Sequence, residues 1–299
     1  MVARWIEGLR PDLTCSRRGS DTVADILVAH CPERVLPGQM LKELVENDRV
    51  IGGVCRASGR AGQTFYQSFV TGDCLITDAR TAELCKLSEN SFRDVNIAFA
   101  NELAELCEDF GINVWELISL ANRHPRVNIL QPGPGVGGHC IAVDPWFIVS
   151  ALGEKARLIR EARWINSGRP RQVVKKVLDK LAAGNIRSIG CFGLAYKPDV
   201  DDLRESPAFE VVEYLAKELQ LVGNACELRV CEPFINELPQ ALQGLQGVRL
   251  TDLMTALNSD LILMLVDHKL FRDIPASQIA GKPLVDTRGV WSGLTTLTT

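Results

Sequence analysis

Cys140 is the residue of this sequence best suited to covalent chemistry. It follows a glycine-rich turn that ends at His139, and Asp144 stands four residues later. A cysteine thiolate attacks an aldehyde to give a thiohemiacetal, so this arrangement favours covalent catalysis on a carbonyl group. The alternative is a buried structural cysteine that packs as a small apolar side chain, and the spacing alone leaves it open.

The turn before Cys140 contains a G-x-G-x-x-G pattern at residues 133–138. In dinucleotide-binding domains this pattern follows a strand and opens a helix whose N-terminus faces the pyrophosphate. Here Gln131 and Pro132 precede the pattern and Pro134 lies inside it, which argues against a strand-to-helix turn. We interpret the segment as a loop whose glycines bring the backbone close to a ligand or a side chain.

A second polar group lies on a long helical pattern and consists of Lys86, Asn90 and Arg93. Their spacing places the three side chains on one face of a helix, beside an apolar stripe, and is compatible with a pocket. The alternative is an ordinary solvated helix face.

A third group is the segment 193–207, which follows a predicted strand and precedes a predicted helix. Open α/β sheets bind ligands at the carboxyl ends of their strands. Ser206 as the N-cap and Pro207 at the first helical position predict a well-formed helix start, and Lys197 and Arg204 nearby favour a phosphate group. A plain capped loop is the alternative.

Periodicity predicts the elements that position these groups in the first two thirds of the chain. Residues 2–9 have helical spacing, residues 25–30 read as a short buried strand, and helical periodicity continues from Pro37 to about Gly111. Residues 122–146 are rich in proline and glycine and are expected to form a structured loop. A further helix over 153–183 is expected to kink or restart at Pro170.

After Gly184 the pattern changes to strands alternating with helices. The predicted strands are 186–192, 227–231, 261–266 and 283–286, with helices at 206–220 and 252–257. This alternation predicts a doubly wound parallel sheet.

Composition excludes several classes of protein. A length of 299 residues with 46% hydrophobic and 23% charged residues is typical of about two globular domains. The formal net charge of −4 argues against a nucleic-acid partner. Neither a membrane span nor a signal peptide is evident, so a cytoplasmic location is expected. The ten cysteines show no ligand spacing, and no metal site is predicted.

Long motifs in the chain resemble those of one enzyme family. They are CPERVLPGQ at 31–39, KLSENSFRDVNIAFANE at 86–102, NRHPRVNILQPGPGVGGHCIAVDPW at 122–146, GLAYKPDVDDLRESPA at 193–208, LVDH at 265–268 and VDTRGVW at 285–291. Together they resemble the UDP-glucose/GDP-mannose dehydrogenase family. The resemblance implies an α/β protein of three parts: a remnant of a dinucleotide-binding domain (1–36), an all-helical dimerisation domain (37–184) with a connecting helix, and a doubly wound UDP-sugar-binding domain (185–299).

The resemblance also implies a reaction. Members of the family use NAD in a four-electron oxidation that converts the C6 alcohol of a UDP-sugar to a carboxylate through a thiohemiacetal and a thioester. By motif, Cys140 corresponds to the nucleophile and Lys86 to the lysine that moves a proton or holds charge on the C6 oxygen. Asn90 stands beside that lysine, Asp144 would assist water or a proton transfer, and Glu33 matches a family glutamate.

The expected substrate is UDP-N-acetyl-D-mannosamine. Where UDP-glucose dehydrogenases carry a second glutamate this chain has Pro37, and Arg34 takes up a charged position near the sugar; both favour an N-acetylated hexosamine over glucose. The residues that the resemblance assigns to nucleotide-sugar binding are Arg34, Val35, Arg93, His124, Arg126, Gly137, Tyr196, Lys197 and Arg288.

Two further contacts are implied. Arg126 corresponds to an arginine that reaches the neighbouring subunit's site, so a homodimer through the helical middle is expected. Arg204 corresponds to an arginine that reaches NAD from the C-terminal domain.

The front of the family's NAD-binding domain is not matched. That domain needs several βα units and a true G-x-G-x-x-G turn, whereas only its last helix and strand are expected here, at residues 1–30. The sequence therefore leaves three hypotheses: the family's oxidation, a truncated nucleotide-sugar-binding or dimerisation module without catalysis, and an enzyme whose missing half comes from another chain or was lost from the gene model.

Overall fold

The computed structural model describes residues 2–19, 24–35 and 39–291. The chain divides into two compact units, Met1–Asn90 and Ser91–Thr299. Pro37, which entered the substrate prediction, lies outside the described residues.

The first unit contains a three-stranded sheet of order β1-β2-β3. Strands β1 and β2 are antiparallel, whereas β2 and β3 are parallel and are joined by helix α3. Its elements in chain order are α1 (Val2–Leu9), β1 (Ala29–His30), α2 (Met40–Glu46), β2 (Arg49–Gly53), α3 (Arg56–Tyr66), β3 (Cys74–Asp78) and the start of α4 (Ala79–Asp109).

The prediction of unbroken helical structure from residue 37 to about 111 is wrong, because β2 and β3 lie inside it. Both strands are five residues long, too short to override the helical spacing of their neighbours. In β2 the fully buried Ile51 is followed by Gly52 and Gly53, and a Cβ atom on Gly53 would lie 2.4 Å from the backbone nitrogen of Gly59. The two glycines let helices pack directly on the strand.

The second unit begins with helices and ends with a sheet. Its helical elements before the sheet are the rest of α4, α5 (Val114–Ala121), α6 (Asp144–Leu152) and α7 (Arg157–Ala183). The elements that follow are β4 (Ser188–Phe192), α8 (Pro207–Leu221), β5 (Glu227–Cys231), α9 (Gln240–Gln243), β6 (Val248–Leu250), α10 (Leu253–Leu257), β7 (Leu261–Met264), α11 (Lys269–Arg272) and β8 (Leu284–Asp286).

The predicted doubly wound sheet is confirmed. Its five strands are all parallel, in the order β6-β5-β4-β7-β8. Side chains of α7 and α8 such as Val177 and Leu215 pack on one face of the sheet. Phe192, Phe271 and Trp291 pack on the other with edge-to-face ring contacts. Apolar cover on both faces is what a parallel sheet requires.

Helix α7 is continuous through Pro170, so the predicted restart there is wrong, whereas the predicted kink stays a prediction. Proline lacks the amide that would bond to the carbonyl four residues earlier, that of Asn166. A Cβ atom on Gly135 would lie 3.2 Å from this carbonyl oxygen, so the glycine loop covers the helix where its hydrogen bond is missing. Packing from outside the helix offsets the local cost of the proline.

Candidate active site

Cys140 lies in an irregular turn directly before α6. Its carbonyl oxygen accepts hydrogen bonds from the backbone N–H groups of Val143 (3.1 Å) and Asp144 (2.8 Å), and Asp144 is the first residue of the helix. The cysteine side chain is exposed, so it is not the buried structural cysteine that the spacing left open. One backbone turn therefore joins Cys140 to Asp144 at the start of α6.

The glycines before Cys140 pack against the segment 193–207. A Cβ atom on Gly137 would lie 2.5 Å from the carbonyl oxygen of Glu205, and Gly138, whose φ is +79°, lies 3.1 Å from the Tyr196 ring by the same measure. No strand leads directly into the G-x-G-x-x-G pattern, since residues 127–133 are irregular, and protein atoms occupy the space beside its glycines. The interpretation as a close-packed loop is confirmed.

Buried side chains from two helices hold the start of this loop. The N–H of Gly133 donates to Asn101 Oδ1 at 2.9 Å, and the Gly133 carbonyl accepts from Arg169 Nε at 3.1 Å. Asn166 connects Asn101 to the backbone and carboxylate of Asp94, each at 2.9 Å. Buried side chains thus fix both backbone polar groups of Gly133, its N–H and its carbonyl.

Asp94 and Arg163 form a buried ion pair at 2.6 Å at the base of this network. Burial raises the pKa of Asp94, and the charge and hydrogen bonds of Arg163 and Asn166 offset part of that rise. Sequence reasoning did not identify Arg163, Asn166 or Arg169 as part of the site. Polar residues recurring at positions 163, 166 and 169, on the buried side of α7, were the available signal.

The loop after β4 is fixed by a second buried network. Glu232 accepts hydrogen bonds from the N–H groups of Leu194 (2.7 Å) and Ala195 (3.1 Å) and lies 3.1 Å from His268 Nε2. His268 Nδ1 accepts from the N–H of Asp199 at 2.9 Å, so Nε2 carries the proton and donates to Glu232. Burial alone would raise the pKa of Glu232, but these hydrogen bonds hold it below its ordinary value.

The end of this loop confirms the predicted helix start. Ser206 Oγ donates to the carbonyl of Leu194 at 2.6 Å and accepts from the N–H of Phe209 at 3.3 Å, with Pro207 as the first residue of α8. The network thus shapes the segment that carries Tyr196 and Lys197, both half-buried.

Two predicted cationic residues lie at the edges of the same surface. Arg288 donates through Nε to Asp267 at 2.9 Å, and its Nη1 atom lies 2.7 Å from the Cβ position of Gly133. Arg204 is exposed and pairs with Asp202, and this hydrogen-bonded partner lowers the pKa of Asp202 to about 2. Gly137, Tyr196 and Arg288 are therefore brought together with the cysteine loop in the second unit.

The first unit carries the remaining catalytic candidates. Glu33 lies after β1 and pairs with Arg49, and the half-buried Arg34 pairs with Glu89 of α4 at 2.9 Å. Lys86 is half-buried and Asn90 buried on the same helix, so Arg34 is held against the turn of α4 that bears them. Val35 follows and is half-buried.

Three predicted residues lie away from these contacts. Arg93 is exposed on α4, and His124 and Arg126 are exposed on the turn after α5. His124 Nδ1 accepts from the N–H of Arg126 at 3.3 Å. Their predicted roles stay predictions.

Among the residues that the structure describes, no group of three or more histidine, cysteine or carboxylate side chains could hold a metal ion. The same part of the chain contains no helix long and apolar enough to cross a membrane.

Comparison with known proteins places the chain in a family. The UDP-glucose/GDP-mannose dehydrogenase family matches through its NAD binding domain at residues 12–70, its central domain at 80–168 and its UDP binding domain at 190–293. An NDP-N-acetyl-D-galactosaminuronic acid dehydrogenase of Ralstonia nicotianae is 55% identical over 294 residues, covering 97% of this chain and 67% of the relative. The chain belongs to the UDP-glucose/GDP-mannose dehydrogenase family.

Other members are similarly close. The UDP-N-acetyl-D-mannosamine dehydrogenase of Yersinia pestis is 54% identical over 299 residues, covering 97% of this chain and 69% of the relative. The solved UDP-N-acetyl-mannosamine dehydrogenase Cap5O from S. aureus has a TM-score of 0.79 at 44% identity, covering 97% of this chain and 65% of that one. The chain spans about two thirds of the length of these relatives.

The family's NAD binding domain matches a longer stretch than the predicted first domain. The match covers residues 12–70, which includes strand β2 and passes the expected limit of 36. The UDP binding domain match, 190–293, falls within the predicted 185–299.

NAD is the cofactor of this family's first domain, and two strand ends among the described residues do not fit it. In the turn from β2 to α3, the backbone of α3 fills the space beside Gly53. In the second unit, Glu232 occupies the place after β5 where dinucleotide-binding sheets carry a ribose-binding acid. Its Oε2 atom is engaged by the N–H groups of Leu194 and Ala195 and by His268, and its Oε1 atom accepts from the N–H of Phe234.

Proposed function

We propose that this chain carries the nucleotide-sugar site and the nucleophile of an NAD-dependent dehydrogenase that converts UDP-N-acetyl-D-mannosamine to UDP-N-acetyl-D-mannosaminuronate. The observation that carries the proposal is the packing of the exposed Cys140 loop on the loop that bears Tyr196, at the carboxyl ends of a doubly wound sheet. Relatives named for N-acetylated sugars support an N-acetylhexosamine substrate.

Two steps of such a reaction belong to the chain's own residues. The Cys140 sulfur adds to the C6 aldehyde carbon, a C–S bond forms, and the thiol proton ends on the C6 oxygen of the thiohemiacetal. After oxidation to the thioester, water attacks the same carbon, the C–S bond breaks, and the carboxylate and the thiol are released. NAD supplies the oxidising power of the complete reaction when it is bound.

The other candidates have supporting roles in these steps. Lys86 holds negative charge on the C6 oxygen or moves its proton, and Asn90 orients that oxygen by hydrogen bonding. Asp144 and Glu33 are the carboxylates that accept a proton from the attacking water.

The nucleotide is held by the second unit's cations and by the loop after β4. A guanidinium group binds phosphate with two parallel hydrogen bonds, which suits Arg288, and Lys197 supplies a point charge. The proposed contacts are Arg34, Val35, Arg93, His124, Arg126, Gly137, Tyr196, Lys197 and Arg288 for the sugar nucleotide, and Arg204 for NAD.

A homodimer through the middle helices is part of the proposal. Phe92, Phe99 and Leu106 are spaced by seven residues along α4 and are 70%, 52% and 50% exposed. A stripe of this kind favours burial against a second helix. Phe99→Glu should convert a dimer to a monomer in light scattering after size-exclusion chromatography, and a monomeric wild-type chain would contradict this part of the proposal.

A cytoplasmic location is proposed as well. All ten cysteines are unpaired, as expected in a compartment that keeps thiols reduced.

The second candidate function is a nucleotide-sugar-binding module without catalysis. The observation in its favour is that protein atoms fill the turn from β2 to α3 and engage Glu232 after β5, so neither place fits NAD. Calorimetry with UDP-N-acetylmannosamine and NADH production from the same substrate separate the two. Binding with turnover that Cys140→Ala abolishes supports the dehydrogenase, binding without turnover supports the module, and absence of binding contradicts both.

A further inference from the structure

The first unit contains a buried cation that no part of the proposed reaction uses. Arg49, the first residue of β2, is 2% exposed. Its Nη1 atom donates to Glu33 Oε1 at 3.0 Å, and its Nη2 atom donates to the carbonyl of Leu44 at 2.8 Å. The guanidinium also lies over the Tyr66 ring, 5.7 Å from its centroid.

These contacts fix the guanidinium in place. It is bounded by a backbone carbonyl of α2, an aromatic ring of α3 and one carboxylate, and its Nε atom is buried without a hydrogen-bond partner among the described residues. A buried arginine that lacks a counter-charge is strongly destabilising, so the protein gains from keeping Glu33 ionised. Glu33 is the one carboxylate paired with Arg49 in the part of the chain that the structure describes.

The Glu33 carboxylate is hydrogen-bonded through its Oε1 atom, and the side chain is otherwise open to solvent. Its Oε1 atom also accepts from the N–H of Arg34 at 2.7 Å, whereas the side chain as a whole is 56% exposed. The neighbouring Arg34 is fixed in turn by its side-chain pair with Glu89 and by Asn47 Nδ2, which donates to its carbonyl at 3.4 Å. Residues from other parts of the chain therefore hold both neighbours. Arg49 binds Glu33, and Glu89 and Asn47 bind Arg34.

We propose that Arg49 is a positioning residue that holds the Glu33 carboxylate in one orientation and as an anion, ready to accept a proton. The catalytic side of this inference rests on the role proposed above for Glu33. The geometry excludes the reverse role at neutral pH, because a carboxylate bound to a fixed guanidinium has no proton to give.

The charges around Glu33 support this assignment. Burial would raise its pKa, but the N–H of Arg34 and the hydrogen bond and charge of Arg49 outweigh burial and leave the pKa below its ordinary value. The other titratable groups that face the Arg49–Glu33 ion pair are Cys31 and Tyr66. Burial raises the pKa of both, so they stay neutral near pH 7. Because the pKa of Glu33 is lowered on folding, the pair stabilises the fold above the ordinary pKa of a glutamate and ceases to do so as the pH falls through the lower value.

The test is a carboxyl-carbon NMR titration of the full chain labelled with ¹³C in its glutamates, with Glu33→Gln assigning the signal. The wild type should titrate below the ordinary value for glutamate, and Arg49→Met should move the midpoint upward by at least about one pH unit. Arg10→Met is the matched control, since it removes an arginine from an exposed pair with Asp12 in the same unit and should leave the Glu33 midpoint unchanged.

Arg49→Lys keeps the charge and serves if the methionine variant does not fold. With lysine at position 49, the titration midpoint of Glu33 should stay close to the low wild-type value, although the hydrogen bond to the Leu44 carbonyl is lost. A wild-type midpoint at or above the ordinary value, or one that neither substitution moves, would overturn the proposal. The titration needs no NAD, so its failure is distinguishable from failure of the proposed dehydrogenase, which affects turnover instead.

Discussion

The two units of the chain hold their functional residues by different means. In the second unit, a five-stranded sheet is covered on both faces, and the loops that carry Tyr196 and Cys140 rest on buried networks around Glu232 and Asp94. In the first unit, the buried apolar side chains among the described residues are Cys15, Pro32, Ile51, Val70 and Ala82, whereas Trp5 and Leu9 of α1 are 65% and 83% exposed. Its site depends on charge pairs such as Arg49 with Glu33 instead.

This difference shows how each unit supports its candidate site residues. The proposed sugar-nucleotide site needs rigid loops, and the second unit holds its loops with buried side chains of its own. The first unit places two charged residues accurately but covers little of its own sheet, and the family's NAD binding domain matches residues 12–70 of this chain.

The largest expected effect is a loss of free energy of unfolding in the second unit. Arg163→Met removes the partner of Asp94 and leaves a buried carboxylate uncompensated, so the second unit should lose about 3–5 kcal/mol of its free energy of unfolding in urea. Lys217→Met, which breaks an exposed pair with Glu213, should cost less than about 1 kcal/mol. Equal losses in the free energy of unfolding would show that the buried Asp94–Arg163 pair supports the second unit no more than an exposed ion pair does.

The next effect compares local stability without any substitution. Backbone amides of β2 should exchange with deuterium at least about a hundredfold faster than those of β4, because strand β4 is buried along its whole length within five strands. Mass spectrometry of peptides from the two strands measures this. Equal protection would show that the first unit is as well supported as the second.

A smaller effect distinguishes two glycines of the cysteine loop. Gly137→Ala places a methyl group 2.5 Å from the carbonyl oxygen of Glu205, so the loop must shift, and affinity for UDP-N-acetylmannosamine should fall by at least about tenfold. Gly133→Ala meets only the Nη1 atom of Arg288 at 2.7 Å, the movable end of a side chain. It should leave the melting temperature nearly unchanged and weaken binding less, as calorimetry of both variants would show.

The smallest effect concerns one exposed pair. Arg204→Gln should raise the pKa of Asp202 from about 2 toward the ordinary value for aspartate, because the hydrogen bond from Arg204 is its largest cause. Since the pKa is lowered on folding, Asp202 contributes stability at neutral pH that is lost as the pH falls from about 4 toward 2. A carboxyl-carbon titration that shows no movement in the variant would contradict this pairing.

The sequence predicts the second unit better than the first. Helix 2–9, the strands after Gly184 and the Ser206-Pro207 helix start agree with the structure, because each has a local signal in spacing or capping. The strands β2 and β3 have no such signal. Their identity depends on pairing with each other across α3, a contact that local periodicity does not contain.

The supporting residues of the site could not be predicted from motifs. Arg169 lies beside the helix proline that suggested a break, yet it holds the Gly133 carbonyl because α7 continues. Arg49 and Glu232 act through partners 16 and 36 to 38 positions away along the chain. Long-range side-chain hydrogen bonds of this kind become visible only once the fold has brought the partners together.

The central claim is that Cys140 is a nucleophile toward a C6 aldehyde, and it can be tested without NAD. The C6 aldehyde of UDP-N-acetylmannosamine, labelled with ¹³C at C6, should give a new thiohemiacetal signal with the wild-type chain. That signal should disappear in Cys140→Ala and persist in Cys55→Ala, which removes a half-buried cysteine from the first unit. A signal that survives in Cys140→Ala, or none in the wild type under conditions where the UDP-sugar binds, would contradict the claim.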